Sequence, residues 1–66
     1  MFYRITYKLQ YSSRYNLQYS SWKEINANFD SLTEARTYAD SMLKEGVNFI
    51  EIYECCGQSI ITVWKN

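Results

Sequence analysis

Sixty-six residues, with seven Lys and Arg against seven Asp and Glu and no histidine, leave no net field to draw the chain to a polyanion and remove the commonest general base. Folding so short a chain buries only about 60% of its unfolded surface, so every large apolar side chain must count. No apolar run approaches the roughly 20 residues of a membrane span, and Met1-Phe2-Tyr3-Arg4-Ile5 lacks a leader's apolar region, so a soluble, cytoplasmic single domain over residues 1–66 is expected.

From Phe2 to Tyr11 the chain alternates, with Tyr3, Ile5, Tyr7, Leu9 and Tyr11 on one parity and Arg4, Thr6, Lys8 and Gln10 on the other, the period of a half-buried strand. Tyr3, Tyr7, Tyr11, Tyr15 and Tyr19 would also align along a helix, but the Thr, Ser, Asn and Tyr content favours strand. Leu9-Gln10-Tyr11-Ser12-Ser13 is echoed by Leu17-Gln18-Tyr19-Ser20-Ser21, which reads as local low complexity at a polar hairpin tip. A returning strand over residues 18–28 that pairs Ile5 with Ile25 sets Tyr3 opposite Ala27, Tyr7 opposite Lys23 and Tyr11 opposite Tyr19. Lys8 then faces Trp22, and Thr6 faces Glu24, on the other side of the hairpin.

Ser31-Leu32-Thr33-Glu34 is a capping box, and Leu32, Ala35, Tyr38, Ala39, Met42 and Leu43 recur at helical steps behind it. A one-sided helix over residues 32–45 follows, with Arg36, Asp40 and Lys44 on the wet face and Gly46 beyond its end. Residues 47–55 are strand-like, Gly57-Gln58 suits a type II′ turn, and residues 59–65 complete a second hairpin. Pairing Cys56 with Ser59 sets Ile52 opposite Val63 and Glu54 opposite Ile61 on one face. Tyr53 then meets Thr62, and Glu51 meets Trp64, on the other.

The expected class is α+β: a ββαββ unit with one helix on a four-stranded antiparallel sheet, in the order second, first, third, fourth strand. The two cysteines, Cys55 and Cys56, are adjacent and cannot join distant segments; a bond between them would be strained. Two reduced thiols near a strand end fit a reducing compartment better than secretion, with a redox switch or a thiol nucleophile the alternative. A Cys-Cys pair lacks the spacing of a zinc site. Gly46 and Gly57 are spent on a cap and a turn, so no phosphate loop remains. Glu24, Glu51 and Glu54 read as solubilising charges, so no catalytic residue, metal or cofactor is expected and the chain is not an enzyme.

One helix covers one face of a sheet. The expected register supplies that face with Tyr3, Ile5, Tyr7, Ile25, Ile50, Ile52 and Val63, and leaves Trp22, Phe49, Tyr53 and Trp64 on the other, beside Arg4, Lys8, Glu24 and Glu51. Aromatic residues rimmed by mixed charge are the composition of recognition surfaces. The favoured reading is a protein-binding face, for a separate partner or for self-association into a homodimer. Single-stranded nucleic acid stacked on the rings is an alternative, opposed by Glu24 and Glu51 and by the neutral net charge. The plain structural alternative is that the tryptophans lie across their own sheet, with Lys8 stacked on Trp22.

The ββαββ plan, with Phe29-Asp30-Ser31-Leu32-Thr33-Glu34-Ala35-Arg36-Thr37-Tyr38-Ala39 entering the helix, resembles small proteins of bacteriophages and mobile elements. Some of these are inhibitors of host defence, including anti-CRISPR proteins. The resemblance implies a protein that works in the host cytoplasm by occupying a surface of a larger protein, without chemistry of its own.

Overall fold

The computed structural model describes residues 1–12 and 14–66; Ser13, which ends the first copy of the duplicated segment, lies outside them. The architecture is α+β, a single helix on a four-stranded antiparallel sheet with a small two-stranded sheet beside it. In chain order the elements are β1 (Phe2–Lys8), β2 (Gln10–Ser12), β3 (Leu17–Tyr19), β4 (Lys23–Glu24), α1 (Leu32–Lys44), β5 (Phe49–Cys56) and β6 (Ser59–Lys65). The main sheet runs β4-β1-β5-β6, and β2 pairs with β3 alone.

The element order therefore differs from ββαββ, because the first hairpin is broken in two. Thr6 faces Glu24 and Tyr7 faces Lys23 as alternation requires, but beyond them Gln10 faces Tyr19 and Tyr11 faces Gln18. The expected Tyr11–Tyr19 pair is displaced by one residue. The cause is local: the Ser20 hydroxyl accepts the Leu9 N–H at 2.9 Å, as serine does when it competes with a ladder, and the Leu9 carbonyl accepts the Ser20 N–H at 2.8 Å. An extra residue is thereby taken up on the returning side. At the hairpin's other end Ala27 turns back onto the Ile25 carbonyl, so Tyr3 exchanges both backbone bonds with Phe29 instead of pairing with Ala27.

The helix begins where its cap places it: the Ser31 side chain accepts the Glu34 N–H at 3.2 Å. It ends before Gly46, whose φ of +96° is open to glycine without strain. Gly57 stands at φ +60° while Gln58 keeps a negative φ, the pattern of a type II′ turn. Ala35, Ala39 and Met42 form the helix's buried stripe, and the small alanines let α1 lie close to β1 and β5. There Ile5, Ile50 and Ile52 are fully buried, with Tyr3 beside them. Ile25, Phe29, Leu43, Val47 and Trp64 close the margins of this core.

Arg36 lies at the border between the wet face and the core. It keeps its i,i+4 contact with Asp40 at 3.7 Å, but its guanidinium stacks over the Trp64 ring, 4.5 Å from the centroid. Its stem covers apolar surface as long cationic side chains do at a core margin; the side chain is 43% exposed, but Nε is buried without a hydrogen-bond partner.

Candidate functional site, the sheet face opposite the helix

Side chains alternate along a strand, so the residues between the buried Ile5, Ile50 and Ile52 point away from α1. The β1–β5 ladder pairs Phe2 with Cys55, Arg4 with Tyr53, Thr6 with Glu51 and Lys8 with Phe49. Glu24 on β4 lies across from Thr6, and Thr62 on β6 across from Tyr53. Seven of the eight residues expected on this face, Arg4, Lys8, Trp22, Glu24, Phe49, Glu51 and Tyr53, gather along it.

Trp64 is the exception and corrects the expected register. The β5–β6 pairing holds from Cys56–Ser59 to Tyr53–Thr62, then slips, so Ile52 faces Trp64 and Glu51 faces Lys65. Val63, expected opposite Ile52, is the extra residue of a β-bulge. Trp64 consequently points to the helix side, half-buried against the core beneath Arg36.

The charges on the open face are mutually engaged. Arg4 donates through Nε to the Glu24 carboxylate, through Nη1 to Asn28 Oδ1 at 2.6 Å and through Nη2 to the Ile25 carbonyl at 3.4 Å. Glu51 accepts from the Tyr53 hydroxyl and lies 3.6 Å from Lys65 Nζ. That hydrogen bond to Glu51 raises the pKa of Tyr53 above its usual 10.0; burial adds to the effect and the Thr6 hydroxyl opposes it. Thr6 Oγ1 is itself buried with no partner at hydrogen-bonding geometry.

Two aromatic groups flank this centre. Lys8 Nζ sits 4.8 Å above the Trp22 ring, and Phe49 meets Tyr19 edge to face with centroids 4.9 Å apart, a favourable quadrupole geometry. Trp22 is 45% exposed and Phe49 38%. Between β4 and β6 the face dips into a cleft of about 210 Å³ lined by Arg4, Thr6, Glu24, Tyr53, Cys55 and Ile60. Cys55 is buried at its floor, and both cysteines are free.

Thr6, Tyr19, Cys55 and Ile60 were not among the residues expected at the site. Ile60 and Cys55 were legible, since the two-residue turn pairs them on the parity of Tyr53. Tyr19 was not, because its approach to Phe49 depends on the register slip at Ser20. A second, shallower hollow of about 330 Å³ runs along the helix by Phe29, Thr33, Glu34, Thr37, Tyr38 and Ser41. Among the described residues no three metal-ligating side chains converge, and no helix is long and apolar enough to cross a membrane. Compared with protein-family models, with curated proteins and with solved structures, the chain matches none.

Proposed function

We propose that the chain is a non-enzymatic protein-binding domain that acts sterically through its helix-free sheet face, in the manner of a phage-type inhibitor seated on a host protein. The observation that carries this reading is the cleft between Tyr53, Ile60 and the Arg4–Glu24 pair, with Trp22 and Phe49 exposed on the same side. At about 210 Å³ it falls short of the roughly 300–1,000 Å³ that small-molecule sites occupy. It suits a single apolar side chain of a partner, the usual anchor of an interface hot spot.

The electrostatics favour protein over nucleic acid. Arg4 is bound to Glu24 and Asn28, and Lys65 lies against Glu51, so the central cations are already neutralised and two carboxylates stand where phosphates would have to pass. A protein partner covers charges already paired, which limits the desolvation that docking costs. Rings held by Lys8 and Tyr19 lose little freedom on binding.

The test is affinity capture from a lysate of the source cell with the wild type and with Trp22→Ser/Tyr53→Ser, both verified as folded. Proteins retained by the wild type and lost by the double variant support the reading; identical capture by both refutes it. A gel shift with single-stranded DNA at low salt that vanishes steeply as salt rises would replace it with the nucleic-acid reading.

A further inference from the structure

The two edges of the main sheet are built differently. β4 is two residues long and carries Lys23 and Glu24, a short, charged edge of the kind that deters further pairing. β6 is seven residues long, and between Ser59 and Trp64 it contains no charge and no proline. Its aliphatic side chains are open to water: Ile60 is 69% exposed, Ile61 54% and Val63 37%. It pairs with β5 on one side only.

The backbone specifies what can cover this edge. In a hairpin with a two-residue turn the closing pair, here Cys56 and Ser59, exchanges both hydrogen bonds, and bonded and non-bonded pairs then alternate. Glu54–Ile61 is the next bonded pair, so the N–H and C=O of Ile60 and Thr62 point away from β5. A second extended strand answers such a row of groups with a continuous ladder.

We infer that β6 pairs antiparallel with β6 of a second copy of this chain, about a two-fold axis at Ile61, to join two sheets into one. This register follows from the outward groups: Ile60 exchanges backbone bonds with Thr62 of the second copy and Thr62 with its Ile60. It is also consistent face by face, because Ile60 and Thr62 share the open face while Ile61 meets its own counterpart on the helix side. Charge agrees. The single charged residue of the strand, Lys65, lies at its far end, so the two lysines sit at opposite ends of the joined strands and no like charges meet.

The contact is narrow. A seven-residue strand is about 24 Å long, and edge-on pairing along it covers less than the roughly 1,000 Å² of a stable interface. The dimer is therefore weak and concentration-dependent. This edge adjoins the face proposed above for a partner and shares Ile60 with its cleft, but the pairing uses the backbone groups of Ile60 and Thr62, so side-chain changes at Trp22 and Tyr53 separate the two.

Sedimentation velocity over a wide concentration range, with amide hydrogen exchange by NMR, tests the inference. The wild type should dimerise reversibly at the upper concentrations, with the Ile60 and Thr62 amides gaining protection in step. Ile61→Lys, which brings two ammonium groups together at the axis, and Thr62→Pro, which removes an outward N–H from an edge position where proline is tolerated, should each raise the dissociation constant at least tenfold. Trp22→Ser/Tyr53→Ser should leave it unchanged. A monomer at every concentration overturns the inference, as does a dimer in which the Ile60 and Thr62 amides stay unprotected. Should a β6 variant fail to fold, the exchange data on the wild type alone decide.

Discussion

The two tryptophans make opposite demands on the fold, and their replacement by alanine separates them. A tryptophan side chain carries about 200 Å², so half-burial of Trp64 hides at least ~100 Å², or about 2.5 kcal/mol at 25 cal/mol per Å². The stacked Arg36 adds roughly 0.5–1 kcal/mol; compactness of the unfolded chain subtracts a similar amount. Trp64→Ala should cost about 2–3 kcal/mol. A domain of this size is stable by only about 3–10 kcal/mol, and each kcal/mol lowers its melting temperature by about 4–8 °C, so the midpoint should fall by about 10 °C or more. Trp22, nearly half exposed with Lys8 stacked on its ring, should cost no more than about 1 kcal/mol on removal. Urea and thermal unfolding followed by far-UV circular dichroism measure both. Equal costs for the two variants, or a Trp64→Ala variant as stable as the wild type, would refute the placement of Trp64 against the helix.

Ser31→Ala removes the acceptor of the Glu34 N–H and should destabilise the domain by about 1 kcal/mol in the same melts. Because the folded pKa of Tyr53 lies above its usual 10.0, folding favours the neutral phenol. Its contribution is complete below the unfolded pKa and is lost as pH rises through the folded one. The stability difference between wild type and Tyr53→Phe should therefore be flat up to about pH 9 and shrink above pH 10; a difference that grows with alkalinity would contradict the Glu51 bond as its cause. Deleting Val63 should leave Ile52 opposite Trp64 and turn the bulge into a regular ladder. In a Trp22→Phe background the emission of Trp64 should then stay where it is, whereas strict alternation in the wild type would have the deletion carry Trp64 from one face to the other and shift its spectrum.

The legible parts of the fold are those fixed by near neighbours. Ser31 and Glu34 start the helix and Gly46 stops it, each through groups within one turn. The side of the sheet on which Tyr53, Glu51, Phe49, Arg4 and Lys8 fall is legible because they lie on uninterrupted stretches of β1 and β5, where parity carries from one residue to the next. Registers failed where a strand took up additional residues: after Lys8 on the way to Ser20, at Asn26 and Ala27, and at Val63. Each failure lies outside the stretch in which a turn or a continuous ladder fixes the count, and a pattern of alternating residues carries no mark of where the alternation skips.

At Val63 the skip has an energetic reason that only the packed structure reveals. Strict alternation would turn Val63 toward the helix and leave Trp64 in water. The helix margin next to Ile52 is lined by Arg36, whose stem and guanidinium can cover an indole but gain little from a valine. Burying half an indole and stacking a cation on it contributes about 3 kcal/mol, while fully burying a valine contributes roughly 1.5 kcal/mol. The difference is enough to offset the ladder hydrogen bond that a bulge disrupts, about 0.5–1.5 kcal/mol net. The indole goes inside and Val63 stays 37% exposed on the edge strand. The same bulge thus withdraws Trp64 from the open face and leaves Val63 on the edge where a second strand is inferred to pair, so a single inserted residue helps decide what each surface presents.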